Sequence, residues 1–209
     1  MTGRGPGDTL PLMTDPFLSL HARALARTDD LVRTVSAADL DRPTPCADWT
    51  LAQLLAHMVG QNNGFAAAAM GETEDRTVWA DKPVRHDAGG VYGTSVKRVV
   101  GAFNEPGALD HPWLIPPIRE DRPFPGRAAA GFHLLDYVVH GWDVAAAMGV
   151  PSGFDAEVLA AVLPLAEEVP DGADRQRPGA LFRPALPPGD GEALEAILRM
   201  LGRDPGWRP

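Results

Sequence analysis

Apolar side chains recur at helical spacing along most of the chain. After Asp15-Pro16, residues Leu18, Ala22, Leu25, Ala26, Leu31, Val32 and Val35 fall roughly on one stripe, which predicts a helix over 16–36. The turn-rich "SAADLDRPTPCADW" separates it from a second run, where Leu51, Leu54, Leu55, Met58 and Phe65 predict a helix over 50–70. Asp48 or Thr50 caps that helix; Thr50 with Gln53 makes a capping box, and Gly71 suits its end. Residues 71–89 are charged and loop-like, and Val96, Val99, Val100 and Phe103 mark a third helix over 90–105. The prolines at 106, 112, 116, 117, 123 and 125 exclude a continuous helix across the next stretch, where Leu114, Ile115 and Ile118 would cover a core edge. A fourth helix over 126–148 is the most apolar and is stopped by Gly149 and Pro151. Helices near 154–168 and 190–202 flank a proline-rich loop. No segment alternates convincingly as a strand. The pattern therefore predicts an all-α protein, a four-helix bundle with additional short C-terminal helices. It forms a single domain over 15–207 behind a flexible leader, 1–14.

Charge and composition narrow the partners. The formal net charge is −9, and no Lys/Arg cluster offers a phosphate-binding surface, so nucleic acid is not the expected partner. No apolar run is long enough for a membrane span, and the N-terminus lacks the apolar core of a signal peptide. Cys46 is the single cysteine, which excludes an internal disulfide and fits a reducing cytoplasm. It reads as a small buried thiol. The apolar side of helix 154–168 would support a homodimer.

The fourth helix carries the chemistry. At about 100° per residue, Asp136, His133 and Asp143 lie at about −40°, +20° and −60° from His140, so four polar groups share one face of a largely apolar helix. A carboxylate enclosed there must be paired, open onto a wet cleft, or bind a cation. The second helix carries His57 on its apolar side, with Gln61 one turn on. If the two helices face each other, His57 meets Asp136 and His140. Two imidazoles and a carboxylate form a three-ligand set with open positions, suited to zinc and also to nickel or iron. An ordinary Asp–His pair without metal satisfies the same spacing.

Two quoted segments carry more than spacing. "RPTPCADWTLAQLLAHMVGQN" (42–62) and "LLDYVVHGWDVAAAMG" (134–149) resemble the DinB-like superfamily of metal-binding four-helix bundles. Within it they are most similar to the N-terminal domain of mycothiol-dependent maleylpyruvate isomerases and to single-domain actinobacterial proteins that share it; "GRDPGW" (202–207) resembles the end of the latter. The resemblance implies a divalent metal held by His57, Asp136 and His140, most readily zinc, and mycothiol as a cosubstrate. The isomerases carry glutamate where this chain has Asp136, one methylene shorter, and a further C-terminal domain. Asp143 and Gln61 are expected to orient an imidazole, and His133 to carry protons. Arg98 or Arg85 would hold an anionic substrate and Trp113 would wall its pocket. Trp49 and Trp142 are expected to anchor helix ends. The expected activity is metal-dependent thiol transfer to, or isomerisation of, a small electrophile. The alternatives are a non-catalytic metal-binding or regulatory bundle and a metal-free bundle that binds an apolar ligand.

Overall fold

Each long helix but one begins where a side-chain oxygen can take a free backbone amide. Asp15 caps α1 (Pro16–Val32), Thr50 caps α2 (Leu51–Ala69), Asp87 caps α3 (Ala88–Phe103) and Asp155 caps α5 (Ala156–Glu167). The exception, α4 (Gly126–Met148), follows Pro125, and a shorter α6 covers Ala193–Met200. The computed structural model describes residues 15–46, 49–72, 74–177 and 179–209. The leader expected over 1–14 and a capping role for Asp48 lie outside them.

The capping box on α2 is reciprocal: the Gln53 amide donates to Thr50 Oγ1 at 3.4 Å, and the Thr50 amide donates to Gln53 Oε1 at 2.9 Å. Gly71, at φ +74°, and Gly149, at φ +70°, adopt the left-handed turn that ends α2 and α4. Helix α1 stops four residues earlier than its stripe suggests. The Thr34 and Val35 amides tighten onto Leu31 and Val32, and Ser36 then enters its own capping box with Asp39.

The proline-rich stretch before α4 is not only loop. It folds into an antiparallel hairpin of β1 (Pro112–Ile115) and β2 (Arg119–Pro125), pairing Trp113 with Phe124 across an irregularity. Prolines at the strand ends and in the turn leave few amides to pair, which hides the strands from pattern reading. Ile115 and Trp113 are fully buried, whereas Ile118 is exposed. Trp113 donates from Nε1 to the Ala108 carbonyl at 2.9 Å and packs at a tilt against Phe103, so it belongs to the core and walls no substrate pocket.

Helices α1–α4 form the bundle, with α2 against α3 and α4, and α1 against α3 and α4. One core lies among these helices and the hairpin; a second lies where α5 and α6 cover the outer side of α4. Val158, Val162 and Ala166 of α5 are buried in that second core, with Leu159, Leu163 and Leu165 partly buried beside them. The apolar side expected to support a homodimer is thus taken up within the chain. The segment around α6 is held by Arg175, whose guanidinium donates to the carbonyls of Val169, Pro170, Arg183 and Met200. Among the described residues, no helix is long and apolar enough to cross a membrane.

Candidate metal centre

Helix α2 brings His57 to the flank of α4 at the level of Asp136 and His140. One donor atom from each of the three lies within 4.8 Å of the others. His140 Nε2 is 3.4 Å from Asp136 Oδ1, close to the ~3.3 Å edge of a tetrahedron built on bonds of about 2.0–2.1 Å. The His140 side chain is nearly enclosed, and those of His57 and Asp136 are about a quarter exposed, so the group opens to solvent on one side. The His57 and His140 rings meet edge to face, and Trp49 covers the other side of His57.

The charges around these rings divide their roles. Burial works against a charge on His140, but Asp136 and Asp143 outweigh it and raise its pKa. Burial and then the charge on His140 lower that of His57. The pair therefore takes its first proton at His140. Two nitrogens, a carboxylate and an open side fit a cation, with ring protons as its competitors.

A second layer stands behind His140. Its Nδ1 is 2.9 Å from Asp143 Oδ2, and Asp143 is wholly buried. Arg203 reaches the same carboxylate from beyond α6, with Nε 3.1 Å from Oδ1 and Nη2 3.2 Å from Oδ2. Burial raises the Asp143 pKa, but Arg203 and His140 overcome it, so the carboxyl titrates below its usual range. Arg203 Nη2 also lies 3.3 Å from Cys46 Sγ. Burial, and then the Asp143 charge, push the Cys46 thiol up to about 12, so it is uncharged at neutral pH and a poor nucleophile. Cys46 makes a second three-donor group with His140 and Asp143, but Arg203 already occupies its sulfur and carboxylate.

Asp81 stands behind His57, with Oδ1 3.5 Å from Nδ1. Two glycines explain its position. A Cβ on Gly60 would meet the Ala80 carbonyl at 2.7 Å, and one on Gly64 would meet the Trp79 ring at 2.2 Å. Their absence lets residues 79–82 lie directly on α2, where the Lys82 amide donates to the Ala56 carbonyl.

The remaining candidates fall elsewhere. His133 is fully buried, 2.9 Å from His21 through Nδ1. Phe65, Phe103 and Tyr137 surround it. The helical wheel placed it beside His140 in angle but ignored the axial rise, ~10 Å over seven residues. It therefore sits in another layer of the bundle, and a proton-carrying role at the metal group is not supported. Gln61 is buried one turn beyond His57 and, among the described residues, makes no hydrogen bond to the three. Arg85 pairs with Asp41, and Arg98 reaches Glu72 and Asn63. Trp49 and Trp142 are both partly buried.

A family model matches residues 21–145, more than half of the chain. The chain belongs to the mycothiol maleylpyruvate isomerase N-terminal domain family. Two Mycobacterium tuberculosis proteins, uncharacterized protein Rv0738 of strain H37Rv and uncharacterized protein MT0763 of strain CDC 1551, are each 28% identical over 190 residues. Each match covers 90% of this chain and 98% of the relative. Among solved structures, a mutant of the mycothiol-dependent maleylpyruvate isomerase superposes with a TM-score of 0.62 at 16% identity, over 90% of this chain and 88% of that one. A second crystal structure of that isomerase gives 0.60 at 17%, over 91% and 89%. These likenesses establish a shared fold.

Proposed function

We propose that the chain is a metal-dependent enzyme that uses a small thiol, mycothiol, for S-transfer to, or isomerisation of, a small electrophilic substrate. The observation that carries this reading is the convergence of His57, Asp136 and His140, with donor atoms within 4.8 Å, on a side open to solvent. Family membership supports the thiol. These three residues would hold a divalent cation, zinc by preference for a nitrogen-and-oxygen set with an open position, with nickel or iron as alternatives. Such a cation would lower the pKa of a thiol beside it enough to deprotonate it at neutral pH. The protein supplies the rest. His57 and Asp136 form the exposed rim that a thiol or substrate must pass. Asp143 Oδ2 lies 2.9 Å from His140 Nδ1 and Asp81 Oδ1 3.5 Å from His57 Nδ1, each placed to accept a ring proton. Trp49 gives the rim an apolar wall.

The test is elemental analysis of the purified chain followed by incubation with mycothiol and a panel of electrophiles. The expected result is one bound metal per chain and thiol consumption, both lost in His57→Ala and Asp136→Asn. Absence of stoichiometric metal would refute the reading. Metal without turnover across the panel would favour a non-catalytic, regulatory bundle.

A further inference from the structure

The Asp143–Arg203 ion pair calls for an explanation beyond stability. Both partners are buried, Asp143 at 0% and Arg203 at 4% exposure. Well-packed apolar side chains in place of such a pair are often as stabilising or more so, because desolvation offsets much of the attraction. The pair is nonetheless aimed at one atom. Arg203 grips both carboxylate oxygens, through Nε at 3.1 Å and Nη2 at 3.2 Å, and this fork fixes the plane of the carboxylate. In that plane Oδ2 faces His140 Nδ1 at 2.9 Å. A carboxylate there accepts a proton from Nδ1, which leaves the lone pair on Nε2, the nitrogen that faces Asp136.

The chain takes care to deliver this guanidinium. Gly202, at φ +74°, turns the backbone after α6, and the Arg203 amide donates to the Leu198 carbonyl at 2.8 Å, which directs the side chain inward. Arg203 also lies outside residues 21–145, the part of the chain matched by the family model.

We propose that Arg203 is a positioning residue for the His57–Asp136–His140 group: acting through Asp143, it holds His140 in the ring orientation and tautomer that present Nε2 to a cation. The proposal rests on the metal reading of that group. Partners of this kind typically change metal affinity by about 10–100-fold. Replacement of Asp143 by asparagine gives a sharper signature. Whichever way the amide is turned, its NH2 opposes an N–H of Arg203. Removal of both partners frees the amide to turn its oxygen to Nδ1.

The experiment measures Zn2+ affinity of the full chain by competition with a chromophoric chelator, with thermal unfolding of the metal-free forms alongside. The variants are Arg203→Lys, Asp143→Asn and Asp143→Asn/Arg203→Met. Arg203→Lys is expected to weaken Zn2+ binding about 10-fold, Asp143→Asn more, and the double variant to recover part of the Asp143→Asn loss. Nitrogen-15 NMR of the metal-free wild type at alkaline pH is expected to show the His140 proton on Nδ1, and Arg203→Lys to show a mixture; this readout does not depend on metal. Wild type carrying that proton on Nε2 would overturn the proposal. So would single variants that fold and bind Zn2+ like wild type. A wild type that binds no Zn2+ would overturn the metal reading, and the proposal with it.

Discussion

Acidification should unfold this protein through a histidine pair remote from the metal centre. His21 and His133 meet at 2.9 Å in the core, and both are nearly or wholly inaccessible to solvent. Burial lowers the His21 pKa from 6.5 to about 3. Burial and then the neighbouring His21 lower that of His133. Both rings are therefore neutral in the folded chain while the unfolded chain binds protons below about pH 6.5. Their contribution is complete above that pH and is lost as the pH falls toward the folded values. At pH 5, His21 alone removes about 1.5 pH units at ~1.4 kcal/mol each, or ~2 kcal/mol, and His133 adds in the same direction. For a chain of this size, ~2 kcal/mol corresponds to a Tm fall of roughly 4–8 °C. The assay is chemical denaturation from pH 7.5 to 5, comparing wild type with His21→Leu/His133→Leu, which removes both rings and leaves neither without its partner. His140 works in the opposite sense, because its raised folded pKa adds stability on the acid side, but it is common to both proteins. The double variant should lose at least ~1.4 kcal/mol per pH unit of the acid dependence below pH 6. An unchanged dependence would refute the reasoning.

Two further changes test the scaffold. Gly64→Ala places a methyl group 2.2 Å from the Trp79 ring, so it should displace residues 79–82. A loss of roughly 1–3 kcal/mol is expected by denaturant titration, with faster proteolysis of that segment. Thr50→Ala removes half of the α2 capping box and should cost about 1 kcal/mol by the same measurement, with Gln53→Ala giving little beyond it in the double variant.

The helices were readable because their apolar positions recur at helical spacing or, in α4, run almost unbroken. The bounds expected for α4 are those observed, since Pro125 and Gly149 punctuate it at both ends. The hairpin was not readable: its pairing joins short segments whose prolines mimic a plain loop. For the candidate site, the i, i+4 spacing of Asp136 and His140 and the polar His57 on an apolar face were visible in the pattern, and the structure brings the three together. His133 was misplaced because angle alone ignores rise along the axis. Asp81 and Arg203 lie in irregular segments, where no period indicates which way a side chain points. His21 did leave a signal, a histidine one turn after Phe17 and one before Leu25 on the buried stripe of α1.

Arg175 shows how the irregular C-terminal strap stays folded. Proline contributes a carbonyl but no amide hydrogen, so a stretch containing Pro170, Pro184, Pro187 and Pro188 is short of donors relative to acceptors. One guanidinium, with five N–H bonds in a rigid plane, meets the Pro170 and Arg183 carbonyls of that stretch and the Val169 and Met200 carbonyls beside it. A lysine, whose donors radiate from a single atom, could not span them. The stoichiometry that a helix or sheet normally satisfies through its own backbone is here met by a single side chain.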